Sequence, residues 1–525
     1  MKKVRNKIMI KYKIKSAKDM TIEELIGQVI MVGLPFDHLD DDYKKFIKEY
    51  KIGNYILFAR NYTDSVQMKV FMKELYNYTL SITGSFPLVS IDQEGGMVVR
   101  LFKDVTFPAS PLTTSATIVP NAPRVTGKII GTDMLKHGLS INLAPCLEIN
   151  DKLSNPLVNV RGYGATKETV LKNASLFVEG LQESGVLSCI KHFPGAGSST
   201  KDSHLELPII DDSKEDLLNY NIYPFVHLTN SDALMTSHCI YKAFDEIPST
   251  LSKIMLSDLL RKEIGFNGLI ISDGMEMNAI KDYYGLGNGS IMALNAGCDI
   301  LLLCHEYEQQ KEVFDAVKEA VKKGIISRTI LEEKVERINK AKEKVLPYLE
   351  QYFTSDDYIV VDEEHKLMEE IVDNSYTLIK GKAPYISDKT LIISTNAKVG
   401  SIVEDEFDDR NLTNELKHNF SNNLVLKFIS DSSFKIEVLN LIKNYDNIIF
   451  YSYDAYKDEI QKDLINSLLN TEKEVFVVSI KGPIDMKYFN NLTNYACLYE
   501  YTPNSIKTII KQLKGKIKLN GKLPF

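Results

Sequence analysis

Short apolar runs alternate with longer amphipathic stretches along the first two-thirds of the chain. Most of these runs are apolar nearly throughout, as in GLIISD (268–273) and CDILLLC (298–304), which is typical of strands buried on both faces. The stretches between them, such as YEQQKEVFDAVKEAVKKG, carry apolar residues at helical spacing. Eight such strand–helix units in about 300 residues predict an α/β fold of the (β/α)8 TIM-like barrel type.

The pattern changes after the eighth unit and predicts a second domain. A long helical stretch, RTILEEKVERINKAKEKVLPYLEQY, runs into the acidic TSDDY, and a new β/α alternation follows with runs such as KTLIIST and EVFVVSI. This alternation is typical of a smaller open α/β sandwich domain. The predicted organisation is an N-terminal extension (1–20), the barrel (21–345), a linker (346–370) and a C-terminal α/β domain (371–525).

Composition narrows the class of protein. Of the 525 residues, 44% are hydrophobic and 25% charged, and the net charge of −7 provides no basic field for nucleic acid. No apolar run approaches the roughly 18 residues needed to span a bilayer, and the basic N-terminus lacks the apolar core of a signal peptide. The six cysteines mostly lie inside apolar runs without metal-type spacing, which predicts buried thiols. We therefore expect a cytoplasmic protein with neither nucleic acid nor membrane as a partner.

Polar side chains stand where the predicted strands end, and a barrel of this kind places its functional residues there. The segment KHFPGAGSSTKDSH (191–204) is the densest in polar groups. Lys191 and His192 at its start can donate hydrogen bonds to hydroxyl groups. Asp202 and His204 are spaced so that the carboxylate can orient the imidazole, which favours a general acid/base role for the pair.

A single carboxylate follows the seventh apolar run. Asp273 comes directly after buried residues, and Gly274 behind it allows a sharp turn. A carboxylate that faces the barrel mouth at this position suits a nucleophile that attacks an anomeric carbon. The alternative interpretation is that Asp273 only caps the following helix.

Several motifs in order resemble those of glycoside hydrolase family 3, and in particular its β-N-acetylglucosaminidase branch. They are LVSIDQEGG, VRGYG, KHFPGxG with DSH four residues later, MTSHCIYKAFDEIPSTLS and LIISDGMEM. The resemblance implies a retaining double displacement with Asp273 as nucleophile and the His204–Asp202 dyad as acid/base. It also implies that the sugar hydroxyls are held by Asp92, Arg161, Lys191 and His192, with no metal and no organic cofactor.

Four positions depart from the usual family pattern. Met97 stands in place of a positive side chain expected near the sugar, Ala196 in place of histidine, Glu148 in place of aspartate, and Gly274 in place of a second aspartate. None of these changes removes the nucleophile or the dyad. They leave the exact sugar and its aglycone open.

The resemblance implies hydrolysis of terminal β-linked N-acetylglucosamine, with cell-wall muropeptide fragments as the expected source in peptidoglycan recycling. A phosphorylase is the nearest competing hypothesis, because a histidine acid/base would not repel an incoming phosphate as a carboxylate would. A β-glucosidase of the same family and a degenerate sugar-binding barrel also stay open.

For several other residues a purely structural role is expected or stays open. Glu94 and Glu148 are expected to hold loops by hydrogen bonds, and the acidic run EDEFDD (404–409) is expected to be a solvated loop. For His238 the sequence leaves packing and substrate contact both open.

Overall fold

The computed structural model describes residues 13–151, 158–196, 206–354, 362–396 and 411–525. Contacts divide the chain into two compact units. The first unit comprises Met1–Gln93, Ile130–Pro145 and Leu181–Val360, and the second comprises Glu94–Ile129, Cys146–Gly180 and Val361–Phe525. The units are therefore discontinuous in sequence, and two segments from within the range predicted for the barrel group with the C-terminal half.

The first unit is built around a closed barrel of eight parallel strands, which confirms the predicted fold. In chain order the strands are β1 (Ile30–Gly33), β2 (Asn54–Leu57), β3 (Leu88–Ile91), β4 (Ile141–Asn142), β5 (Leu187–Phe193), β6 (Ala233–Thr236), β7 (Leu269–Gly274) and β8 (Ile300–Leu303). Each strand pairs with its neighbours in sequence, and β1 closes the barrel by pairing with β8. Strands β1, β2, β3 and β8 are buried at every position, which explains their continuous apolar sequences.

Helices follow the strands of the barrel. The α-helices that lie wholly in the first unit are Ile22–Gln28, Asp41–Tyr50, Ser65–Thr83, Lys214–Asn219, Tyr223–His227, Asn278–Tyr284, Leu286–Ala296, Tyr307–Lys322 and Arg328–Thr354. A π-helix spans Ile254–Glu263, and a small parallel ribbon pairs Ile209–Ile210 with Ile240–Tyr241. Helices Ala122–Lys136 and Lys167–Ser184 each begin in the second unit and end in the first. Short 3-10 turns span Ala17–Asp19, Ala59–Asn61, Asn159–Arg161, Ser249–Leu251, Ile442–Asn444, Ala455–Lys457 and Pro483–Tyr488.

Local sequence signals explain where these helices start and stop. Helix Ile22–Gln28 begins with a capping box, in which Thr21 and Glu24 each bond the other's backbone N–H. Helix Ser65–Thr83 starts at the N-cap Asp64 and ends at Gly84, whose φ of 73° is a left-handed conformation that favours glycine.

The second unit contains a six-stranded mixed sheet, and this confirms the predicted α/β domain. Its strands are β9 (Thr377–Lys380), β10 (Thr390–Ser394), β11 (Leu424–Lys427), β12 (Asn447–Ser452), β13 (Glu474–Ser479) and β14 (Asn494–Cys497), in the spatial order β9-β14-β13-β12-β10-β11. Only the β9–β14 pair is antiparallel. The helices are Pro111–Ala116, Asp362–Asp373, Leu412–Asn419, Ser432–Leu441, Glu459–Leu469 and Pro503–Leu513.

Alternate residues of the central strands enter two separate apolar clusters. Ile449 and Tyr451 of β12 belong to one cluster, whereas Ile448 and Phe450 belong to the other. Because successive side chains of a strand point to opposite faces, both faces of this sheet are buried.

Two further observations concern features predicted from composition. No helix among the described residues is long and apolar enough to cross a membrane. The six cysteines all lie in described segments and are buried, and none is joined to another by a disulfide bond.

One buried cation beside the barrel gives a prediction about stability. The Lys342 side chain is inaccessible to solvent and its Nζ donates to Oε1 of Gln28 at 2.6 Å. Burial lowers the pKa of Lys342 from 10.5 to about 7, so the unfolded chain binds this proton more tightly than the folded protein does. Between pH 7 and pH 10.5 the wild type should gain stability as pH rises, by about 1.4 kcal/mol per pH unit at most.

The measurement is the free energy of unfolding by urea for Lys342→Met and wild type at several pH values. The advantage of the variant should be largest at or below pH 7, where the wild type carries the full cost of the buried charge, and should shrink toward pH 10.5. Lys340→Met, an exposed position on the same helix, serves as the control. A difference between Lys342→Met and wild type that does not vary with pH would contradict the shifted titration.

Candidate active site

Strand β7 places Asp273 at its carboxyl end. The four residues before it are buried, whereas the Asp273 side chain is partly accessible. Its Oδ1 accepts a hydrogen bond from the backbone N–H of Gly274 at 2.8 Å. The carboxylate is therefore fixed by the turn that ends the strand, at the edge where such barrels carry their reactive groups.

A buried histidine supports the same turn. His238, which follows β6, has its Nε2 2.9 Å from the carbonyl oxygen of Gly274 and its Nδ1 2.8 Å from Oγ1 of Thr250. A carbonyl oxygen can only accept, so Nε2 carries the proton in this arrangement. Of the two interpretations left open by the sequence, this geometry favours packing: His238 holds the backbone beside Asp273 from within the barrel.

Strands β3 and β5 contribute an ion pair to the first unit. Lys191 Nζ lies 2.7 Å from Oδ1 of Asp92, and the lysine side chain is only 2% exposed. The register of β5 against β6 shifts between Ile190 and Phe193, and such irregularities re-aim side chains at barrel rims. His192, the next residue, is partly accessible.

This ion pair gives a second prediction. Lys191→Met removes one partner of the largely buried Asp92 carboxylate, and breaking a buried pair from one side costs about 3–5 kcal/mol. The double variant Lys191→Met/Asp92→Asn removes both charges and should lose less stability than the sum of the two single variants. Urea unfolding of all four proteins measures this coupling, and strict additivity would show that the pair is not coupled.

Three predicted site residues stand at the carboxyl ends of strands of the same parallel barrel: Asp92 follows β3, Lys191 lies near the end of β5 and Asp273 near the end of β7. Burial raises the pKa of Cys304, which follows β8, well above its usual value, and the negative charges of Glu276, Asp273 and Asp92 raise it further. The structure thus brings together Asp92, Lys191 and Asp273, which the sequence predicted as site residues. Glu276 was not among the predicted residues, although its place three residues after Asp273 in a buried turn was a usable signal.

Arg161 lies in the second unit and forms an ion pair with the buried Glu94. Its Nε and one terminal nitrogen (Nη2) contact the two carboxylate oxygens of Glu94 at 2.8 and 2.7 Å. This two-point geometry is the strong form of an arginine–carboxylate pair. The predicted sugar-binding role of Arg161 remains a prediction, and Glu94 is seen to hold its guanidinium in place.

The other residues singled out in the sequence lie in different parts of the chain. Asp202 and His204 lie outside the described residues, so the acid/base dyad stays a prediction. Glu148 is buried in the second unit. Met97, expected near the sugar, belongs to the apolar cluster of the second unit that includes Tyr376, so methionine suits its surroundings there better than a positive side chain would.

The family follows from a comparison with known proteins. Residues 21–341, more than half of the chain, match the N-terminal domain of glycosyl hydrolase family 3. The chain belongs to this family. It is therefore a glycoside hydrolase, and the barrel with its α/β partner domain is the architecture of a family 3 enzyme.

Three relatives illustrate the similarity. The chain is 30% identical to a beta-hexosaminidase of Actinobacillus pleuropneumoniae serotype 5b (strain L20) over 298 residues, which cover 55% of this chain and 85% of that protein. It is 31% identical to a beta-hexosaminidase of Haemophilus influenzae over 297 residues, which cover 55% of this chain and 83% of the relative. The solved structure of a family 3 beta-N-acetylglucosaminidase from Paenibacillus sp. str. FPU-7 aligns with a TM-score of 0.89 and 31% identity, over 96% of this chain and 98% of that one.

Proposed function

We propose that this family 3 enzyme is a retaining exo-β-N-acetylglucosaminidase that removes terminal β-linked N-acetylglucosamine. The observation that carries the proposal is Asp273 at the end of β7, held by the Gly274 N–H in a mouth that also contains the Asp92–Lys191 pair. The names of the relatives, beta-hexosaminidase and beta-N-acetylglucosaminidase, support the choice of sugar. The proposed setting is the cytoplasm, with cell-wall muropeptide fragments as the source of substrate.

The proposed reaction has two displacements. In the first, an Asp273 oxygen forms a bond to the anomeric carbon, the glycosidic bond breaks, and protonated His204 gives its proton to the departing oxygen. In the second, neutral His204 takes a proton from water, whose oxygen attacks the same carbon and releases Asp273. Asp202 keeps the imidazole oriented through both steps.

The other predicted residues are assigned to sugar binding. Asp92 and Lys191 present an acceptor and a donor side by side, as a pair of sugar hydroxyls requires. Arg161 and His192 are proposed to hold further hydroxyls. No step of this mechanism uses a metal or an organic cofactor.

A comparison of aryl substrates tests the proposal. The N-acetylglucosaminide should be cleaved much faster than the glucoside, and the β-anomer of N-acetylglucosamine should be the first product. Faster cleavage of the glucoside would favour a β-glucosidase, and a sugar 1-phosphate formed only with inorganic phosphate would favour a phosphorylase. Absence of turnover on every β-glycoside would favour a binding protein.

A further inference from the structure

The turn after β7 contains a carboxyl group to which the proposed mechanism assigns no role. Oε1 of Glu276 accepts a hydrogen bond from the backbone N–H of Cys304 at 2.5 Å. Cys304 directly follows β8, so this contact joins two neighbouring loops at the carboxyl end of the barrel. Glu276 thereby fixes the turn on which Asp273 stands.

The other oxygen of this carboxyl group is in a different environment. Oε2 of Glu276 is buried and has no hydrogen-bond partner among the described residues. It lies over Gly274, because a Cβ atom added at Gly274 would stand 3.5 Å from it. Oε2 of Glu276 thus covers the residue that directly follows Asp273.

An ionised carboxylate is poorly accommodated in this position. A buried charged oxygen without a donor is costly, and the Asp273 carboxyl group stands on the same turn. Burial raises the pKa of Glu276, and the negative charge of Asp273 raises it further, against the lowering effect of the backbone donors and of the Cys304 thiol. Among the described residues, the Cys304 thiol and His238, which bonds the Gly274 carbonyl oxygen, also lie at this turn. Asp92, paired with Lys191, acts on the Cys304 thiol.

We propose that Glu276 is a positioning residue for the nucleophile and works as an uncharged carboxylic acid. Its Oε1 holds the turn to β8 through the Cys304 N–H, and its proton-bearing Oε2 packs over Gly274, so that Asp273 is the anion of this turn. The inference rests on the proposed function in taking Asp273 as the nucleophile. The charge state of Glu276 is a property of the folded protein and is measured without substrate.

The first arm of the test is the free energy of unfolding of Glu276→Gln against wild type across pH. Glutamine keeps the shape and the Oε1 acceptor but cannot ionise. A raised pKa means that the folded wild type loses stability as pH rises from about 4.5, the ordinary value, through the folded pKa. The stability of Glu276→Gln relative to wild type should therefore increase with pH in this window and then level off.

Glu263→Gln, at an exposed position of the same unit, is the matched control and should show a difference near zero at each pH. A difference for Glu276→Gln that is flat, or that falls with pH, would overturn the uncharged state. This measurement uses no substrate, so it tests the charge state of Glu276 even if the wild type cleaves no N-acetylglucosaminide. Absence of that cleavage would contradict only the proposed function.

The second arm is kinetic and uses the β-glycoside that the wild type cleaves fastest. Glu276→Ala should lower kcat by at least about tenfold with little change in KM, because the turn loses its link to β8. Glu276→Gln should recover most of this loss. If the glutamine variant is as slow as the alanine variant, an ionised carboxylate is required and the proposal is wrong.

Discussion

Replacing Asp273 with alanine is expected to lower kcat on an aryl β-N-acetylglucosaminide by roughly 10⁴-fold or more. Alanine offers no oxygen to the anomeric carbon, so no covalent intermediate can form and the double displacement is interrupted at its first step. The substitution removes the hydrogen bond between Oδ1 and the Gly274 N–H. His238 still holds the carbonyl oxygen of Gly274, so the fold of the turn should survive.

Steady-state kinetics with an activated aryl substrate measure this loss. Added azide should restore release of the aryl group in Asp273→Ala, because a small anion can occupy the space of the missing carboxylate, and the product should be the α-glycosyl azide. Asp258→Ala, a partly exposed aspartate on the π-helix of the same unit, is the matched control and should behave like wild type. Residual activity above about a tenth of wild type, with no response to azide, would contradict the assignment.

Replacing His204 with alanine is expected to slow the enzyme in a way that depends on the leaving group. Protonation by a positioned acid contributes roughly 10²–10⁴-fold when the departing oxygen is basic. An activated aryl group needs little protonation to depart, so its release in the first step should fall much less. Unactivated disaccharides that end in N-acetylglucosamine should lose most of their turnover.

Initial rates across a series of aryl glycosides of graded leaving-group acidity test this expectation. The slope of log(kcat/KM) against leaving-group pKa should be steeper for His204→Ala than for wild type. His227→Ala provides the control, since His227 is an exposed histidine whose ring contacts the backbone of its own helix. Equal losses for good and poor leaving groups would mean that His204 is not the acid.

Elements could be predicted from the sequence where the order of apolar and polar residues follows which positions are buried. Strand β7 begins with three apolar residues because its first positions are buried, and its polar end marks the barrel mouth directly. The same logic located Lys191 and Asp92 at the ends of β5 and β3, and the structure joins them at 2.7 Å. Parallel strands in a closed barrel end at one rim, so strand order alone predicts which polar residues gather there.

Other features depend on contacts between residues far apart in sequence. The segments 94–129 and 146–180 group with the C-terminal half, which no local pattern reveals. The family motif predicts that Met97 lies near the sugar, and the structure adds that its side chain belongs to the apolar cluster of the second unit. The place of Glu276 three residues after Asp273 is visible in the sequence, but its partner, the Cys304 N–H, comes from the next strand end and is not.

The central claim is that Asp273 forms a covalent bond to the sugar, and trapping this intermediate tests it most directly. The wild type is incubated with a fluorosugar analogue of N-acetylglucosamine whose glycosyl–enzyme intermediate hydrolyses slowly, and the peptides are then analysed by mass spectrometry. The account predicts one added sugar on the peptide that contains Asp273, bonded to that side chain, and none on Asp273→Ala. A sugar attached to any other residue, or full turnover with no adduct and an α-configured first product, would contradict it.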